Sequence, residues 1–331
     1  MFRKLIIILA ALAFTLAGCA PAATPTSAPV PTALPAVEVP TEVPTAAPTA
    51  SPTSAPLTIT DGLGRKVTLP APAQKVVSMA PSNTEILFAI SAGPQVVGRD
   101  EFSDYPAQAK SLPSVGGSMG QYSNEQIAAL KPDLVLAGGI NTPEQVKALE
   151  DLGLTVFYLG NPSTLEEMYA NLETVAKLTG HESDASTLID SLKARVKAVD
   201  DKLAGVTAKP IVFYEIDASD PNKPYTTGPG TFIDLLIARA GGQNLPGLKD
   251  PYPQVSLEQI VVANPDIILL GDAQYGTTPE AVAGRPGWAT IAAVKNNRVL
   301  PFDDNLVSRP GPRLVDGLEA LAKAIHPEMY K

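Results

Sequence analysis

The chain has 331 residues, 45% of them hydrophobic, enough to fill two ordinary cores. Its formal charge is −9, from 34 acidic and 25 basic residues, which argues against nucleic acid as a partner because phosphate binding needs a basic face. One cysteine and two histidines argue against a disulfide framework, thiol chemistry in the mature fold and a transition-metal site.

The N-terminus reads as an export signal. Phe2-Arg3-Lys4 is a positive start, and Leu5 to Ala17 is an apolar run too short to span a bilayer comfortably. Leu16-Ala17-Gly18-Cys19 resembles the bacterial lipobox, in which the cysteine is acylated and becomes the new N-terminus. Residues 1–18 are therefore expected to be removed, which leaves 23 basic and 34 acidic residues and a charge of −11. Cys19 is the expected lipidation site, placing the protein extracytoplasmic and anchored to the cell membrane. Residues 19–56 carry that cysteine and a stretch dominated by Pro, Ala, Thr, Ser and Val, too poor in buriable surface to fold. At about 3 Å per residue this stretch is a tether reaching roughly 100 Å.

Alternating strands and helices follow. Leu57–Thr60 and Lys66–Leu69 read as a hairpin, and Lys75–Met79 as a strand. Ser82-Asn-Thr-Glu85 reads as a capping box opening a helix. Gln95–Gly98 is a short strand before a long loop over residues 99–122. Ser163-Thr-Leu-Glu166 caps a further helix. The sixteen residues Ser123–Gly138 then return as Ser256–Gly271, with eight identities at an offset of 133. That offset is too long for a solenoid and suits two similar lobes. In each copy Ser is an N-cap, Gln three residues later completes a capping box, and Glu125 or Glu258 lies in the positive first turn. Pro-Asp then breaks the helix, and an apolar run reads as a buried strand. Between the copies, Ala185, Leu188, Ile189, Leu192, Val196, Val199 and Leu203 form one apolar stripe, the mark of a long helix. The expected fold is α/β: two Rossmann-like lobes with central parallel sheets, joined by one long α-helix, with a ligand cleft between them. The expected divisions are 57–180 for the first lobe, 181–205 for the linking helix and 206–331 for the second lobe.

Gly116-Gly-Ser118-Met-Gly120 matches the Gly-x-Ser-x-Gly elbow of serine hydrolases, so a secreted hydrolase using Ser118 is one alternative. The elbow needs a strand before it, a helix after it and a partner histidine. None of these fits well here, and a flexible cleft loop is the better reading. Phe102, Tyr105, Tyr122, Tyr225 and Tyr252 fall in expected loops beside Pro or Gly, which suits a large, flat, partly apolar ligand. Asp303-Asp304 and Arg309-Pro-Gly-Pro-Arg313 follow an expected strand and can hold polar groups at a ligand rim.

Residues 75–327 resemble the class III substrate-binding proteins of ABC importers, a family that binds ferric siderophores, haem and vitamin B12, and within it the cobalamin binders. The matching stretches are Ser82-Asn-Thr-Glu-Ile, Phe102-Ser-Asp-Tyr-Pro, Glu125-Gln-Ile-Ala-Ala-Leu-Lys-Pro-Asp-Leu-Val, Pro224-Tyr-Thr-Thr-Gly and Pro251-Tyr-Pro-Gln-Val-Ser-Leu-Glu-Gln. The resemblance implies a non-enzymatic, monomeric protein without a cofactor or metal of its own, carrying a corrinoid as cargo, with a ferric siderophore or haem as the alternative. It implies that Glu125 and Glu258 meet arginines of an ABC permease dimer driven by its ATPase. It places Phe102, Tyr225, Tyr252, Asp304 and Arg309 in the ligand cleft. Cobalamin binders commonly carry tryptophan where this chain has Met119, Gly138 and Tyr252, so the expected platform is thinner, with Met119 and Tyr122 contributing.

Overall fold

The computed structural model describes residues 56–331. The expected signal segment, Cys19 and nearly all of the tether lie outside them. The chain order is β1 (Leu57–Thr60), β2 (Lys66–Leu69), β3 (Val76–Ser78), α1 (Pro81–Ala89), β4 (Val96–Arg99), α2 (Asn124–Ala129), β5 (Leu134–Gly138), α3 (Pro143–Glu150), β6 (Val156–Leu159), α4 (Leu165–Thr179) and α5 (Glu182–Leu203). It continues with β7 (Ile211–Asp217), β8 (Tyr225–Thr226), α6 (Phe232–Arg239), β9 (Gln243–Asn244), α7 (Leu257–Ala263), β10 (Ile267–Leu270), α8 (Pro279–Ala283), α9 (Ala292–Lys295), β11 (Val299–Pro301), α10 (Asn305–Ser308) and α11 (Leu314–Ile325).

Two sheets carry the fold. The first has the order β4-β3-β5-β6 and is parallel throughout. The second has the order β11-β10-β7-β8, with β9 also on β7; β8 alone runs antiparallel. The central strands β3, β5 and β10 are buried along their whole length, as their unbroken apolar sequences require of strands covered on both faces.

Side chains alternate between two cores with the period of a strand. Val76, Leu134 and Leu136 of the first sheet, and Val212, Tyr214 and Leu269 of the second, join a single core. Their neighbours Val77 and Val135 pack in a second cluster with Ile127 of α2 and Val146 and Leu149 of α3. Phe213, Ile268 and Leu270 pack in a third with Trp288. The shared core is completed by α5, whose Ala185, Ile189, Leu192, Val196, Val199 and Leu203 are all buried. Its 22 residues make a rod of about 33 Å. Polar clips fix α5 to the second lobe: Arg195 donates to Glu319 (2.8 and 2.6 Å) and Asp316 (2.5 Å) of α11, and Arg239 of α6 to Asp200 (3.1 and 2.7 Å). The stripe in the sequence thus marks a helix that shares a core with both sheets.

Three local expectations change. Helix α1 starts at Pro81, one residue before the expected cap, and Ala80 at its N-cap makes no side-chain capping bond. Proline at the first turn needs no cap for its missing N–H, and Glu85 turns away to partners described below. Helix α4 is capped by Thr164, which accepts from the N–H of Glu167, rather than by Ser163. Both repeat copies keep their serine cap, but the reciprocal capping box closes only at Ser256 and Gln259. The likeness of the lobes also extends further than the repeat: Thr142-Pro143-Glu144 and Thr278-Pro279-Glu280 open α3 and α8 with the same threonine cap and first-turn proline.

Candidate ligand-binding cleft

Ligands of parallel α/β sheets bind beyond the carboxyl ends of the strands. In the first sheet the loop after β4 is held by a buried polar frame. Asp100 is fully buried and accepts from the N–H of Phe102 (2.9 Å) and from the Ser103 hydroxyl. The Thr84 hydroxyl bonds both Ser78 (2.8 Å) and Ser103 (2.7 Å). The Arg99 guanidinium gathers the carbonyls of Ala109 (2.9 Å), Asp100 (2.8 Å) and Glu101 (3.0 Å). Burial pushes the Asp100 carboxyl up, against the pull of Ser103, the Phe102 N–H, Arg309 and Arg99. The frame presents Phe102 and Tyr105 outward, both about half exposed.

Met119 sits at the tip of a short turn, 95% exposed, with a left-handed φ of 50°. Gln145 braces that turn through the carbonyl of Gly120 (2.6 Å). Tyr122 lies beneath it, half-buried, its hydroxyl donating to the carbonyl of Met79 (2.9 Å); burial raises its phenol. Tyr122 is thus a buttress under the loop more than an open platform. Ser118 precedes Met119 in the turn, and neither imidazole is placed to serve it. His181 pairs with Asp184, while His326 contacts Glu328 and the carbonyl of Gly241.

In the second lobe Tyr225 lies in β8, not in a loop, and bridges to Gln254. Gly228 donates to the carbonyl of Pro251 at 2.7 Å, a closeness a Cβ at Gly228 would forbid, since it would meet the carbonyl of Asp250 at 2.2 Å. Tyr225 and Tyr252 are therefore carried on neighbouring segments, and both are exposed. Asp304 accepts from the hydroxyl of buried Tyr214 (2.8 Å) and leaves its second oxygen without a hydrogen bond among the described residues. Burial first, and the Asp304 charge second, raise the Tyr252 phenol.

Arg309 joins the two sides. Its Nη1 donates to Glu85 (3.1 Å) and Asp104 (2.7 Å), and its Nη2 to the carbonyl of Phe102 (3.3 Å), all in the first lobe. Arg313 donates to both oxygens of Glu85 (2.8 and 2.5 Å), and its guanidinium lies 4.1 Å from the centre of the Tyr105 ring. The loops that follow β4 and β11 therefore face each other. A cavity of about 470 Å³ opens behind these arginines toward α5, lined by Phe88, Leu188, Leu192 and Arg195 among others. Of the aromatics expected at the cleft it touches only Tyr105.

Glu125 and Glu258 are both exposed in the first turns of α2 and α7, without an ion-pair partner among the described residues. Among the described residues there is no cluster of three or more His, Cys, Asp or Glu side chains suited to a metal, and no helix long and apolar enough to cross a membrane.

Sequence reasoning missed two kinds of residue. Glu85 and Asp104 are the acids that take up Arg309 and Arg313 in the inter-lobe ion cluster, yet Glu85 reads locally as a capping residue and the two arginines as rim groups for a ligand. Tyr275 (83% exposed) and Ile140 (60% exposed) also follow strand ends, after β10 and β5. Tyr275 stands beside Gly276, so the aromatic-beside-glycine rule used for the others would have found it. Ile140 carried no such signal.

A periplasmic binding protein family profile matches residues 76–306. The chain belongs to the periplasmic binding protein family. It is 35% identical over 280 residues to the uncharacterised ABC transporter substrate-binding lipoprotein YvrC of Bacillus subtilis, covering 83% of this chain and 87% of that one. It is 31% identical over 258 residues to a vitamin B12-binding protein of Vibrio cholerae, covering 76% and 88%. Among solved structures it resembles the periplasmic haem-binding protein RhuT from Roseiflexus, with a TM-score of 0.69 and 27% identity over 78% of this chain and 99% of that one. As a member of this family it is a substrate-binding protein of ABC transporters, not an enzyme, with two lobes in the class III arrangement. The Gly-x-Ser-x-Gly match at Ser118 is accordingly not a nucleophile elbow.

Proposed function

We propose that this protein captures a bulky, flat chelate, a corrinoid such as cobalamin, and delivers it to an ABC permease dimer. One observation carries this reading. Exposed aromatic and large apolar side chains collect where the strands of both sheets end, on braced loops and, for Tyr225, on the short edge strand β8. Phe102 and Met119 supply one wall, Tyr225 and Tyr252 the other, and Tyr122 supports the first. Asp304 offers its open oxygen, and Arg309 keeps its Nε hydrogen and one Nη2 hydrogen for amide and phosphate groups at the cargo's edge. The vitamin B12-binding relative favours this cargo. In this reading residues 57–180 and 206–331 are the two walls and residues 181–205 the joint. Glu125 and Glu258 are the docking handles for permease arginines. Cys19 carries the lipid that keeps the monomeric protein at the outer face of the membrane.

Haem is the second reading. It is favoured by the likeness to RhuT and by exposed tyrosines, whose phenolate can ligate haem iron.

Tyr252→Ala tests the site. Spectroscopic titration of the cargo is expected to show binding weakened by about 1–3 kcal/mol, roughly 5- to 150-fold, from the stacking area lost. An affinity equal to the parent's would remove Tyr252 from the cleft.

A further inference from the structure

The ion cluster between the lobes has a composition that suits more than adhesion. Glu85 is almost wholly buried on α1, and its two oxygens take three arginine donors. Arg313 grips it side-on, through Nε and Nη2, the fork that only guanidinium offers. Arg309 shares one of those oxygens and spends its other bonds on Asp104 and the carbonyl of Phe102. The set holds two cations and two anions, so it is neutral overall, with Glu85 buried at its centre and Asp104 exposed at its rim. Gly311, between the arginines, lies 3.5 to 3.9 Å, measured from an added Cβ, from atoms of Ser82, Ile86 and Glu85, so the loop rests directly on α1. The Arg313 guanidinium carbon lies over the Tyr105 ring, a cation–π contact. All the first-lobe groups beyond Glu85, namely Asp104, the Phe102 carbonyl and the Tyr105 ring, belong to the one loop that presents aromatics to the cleft.

We propose that Glu85, Arg309 and Arg313 are positioning residues of the binding site: they hold the 102–105 loop against the second lobe and so set the aromatic wall before cargo arrives. This rests on the cleft reading above and deepens it. Anchored at both ends, Phe102 and Tyr105 lose little freedom when a cargo stacks on them, which is where preorganised sites gain affinity. A site whose competent form is only partly populated binds more weakly by that fraction. The same contacts join the lobes a second time, across the cavity from α5, so the cleft has two fixed points instead of one.

Arg313→Lys is the decisive variant, because lysine keeps the charge but loses the fork and the guanidinium contact with Tyr105. Arg313→Ala and Glu85→Gln accompany it. Hydrogen–deuterium exchange on the ligand-free full chain is expected to rise at residues 100–106 and stay at the parent level across β3 and β5. Cobalamin affinity is expected to fall at least fivefold with Arg313→Lys and further with Arg313→Ala. Unchanged exchange at residues 100–106 in Arg313→Lys would overturn the proposal. So would a uniform rise across β3 and β5, the signature of general destabilisation. If Arg313→Ala does not fold, the lysine and glutamine variants decide. If the parent binds none of cobalamin, haem or a ferric siderophore, the cleft reading fails, while the exchange measurement still decides the positioning role because it needs no cargo.

Discussion

Replacing Glu125 and Glu258 together with alanine is expected to abolish ATP-driven cargo uptake in vesicles carrying the permease, while cargo affinity in solution stays within twofold of the parent's. Each carboxylate stands in the first turn of a short helix capped by serine. Its value to the fold is the helix-dipole term, about 0.3–1 kcal/mol for an exposed charge, so the double variant folds. Both carboxylates are exposed. Their shared property is geometric: the same position in the repeated unit, once per lobe, exposed and without an ion-pair partner among the described residues. A permease built of two like halves presents two like sites, and paired charges at matching corners give register and orientation. Each single variant should retain part of the transport, because one handle remains. Parent-level uptake by the double variant would remove both residues from the docking surface; a fall in affinity would place them in the cleft instead.

Glu215→Ala is expected to lower the thermal midpoint by about 6–15 °C, the equivalent of roughly 3–5 kcal/mol for breaking a buried ion pair in a protein of this size. Glu215 is fully buried on β7 and accepts from Arg285 Nη1 (2.6 Å) and Nη2 (2.8 Å). Arg285 in turn lies 4.7 Å from the centre of the Trp288 ring, and Trp288 is fully buried. Without Glu215 the guanidinium is left nearly dry and unpaired. Burial pushes the Glu215 carboxyl up, and Arg285 only partly offsets it. A raised carboxyl contributes stability that is present in full below its unfolded value, near pH 4.3, and is lost as pH rises through its folded value. Glu215→Gln keeps the shape and one acceptor but cannot ionise. Its midpoint should therefore gain on the parent's as pH rises from about 4 to 7. A constant gap across that range would show that the buried carboxyl does not titrate as argued.

What could be read from the sequence was local or periodic. The strands showed as apolar runs before glycine, α5 as a stripe every three to four residues, and the twin lobes as a repeated sixteen-residue segment. Those signals sit within one element or between two copies of it. The inter-lobe cluster did not show, because Glu85 and its arginines are 224 and 228 residues apart. Glutamate three residues after a serine reads as a helix start on local grounds, and only the arriving loop gives it a different use. Tyr225 was expected in a loop and lies in a two-residue strand, since so short an edge strand carries no alternation to read. Tyr122 carried the same signal as the other loop aromatics, beside a glycine-rich turn. Its hydroxyl is drawn under the loop by a backbone carbonyl forty-three residues away.

The proposed function requires two walls of exposed aromatic and apolar side chains that take a flat chelate between them. Titration calorimetry of the full protein against cobalamin, cobinamide, haem and a ferric siderophore tests it most directly. One-to-one binding of cobalamin with a dissociation constant below about 1 μM, worth more than about 8 kcal/mol, and tighter than that of haem or the siderophore, is the predicted result. Heats no larger than dilution for both corrinoids would contradict it.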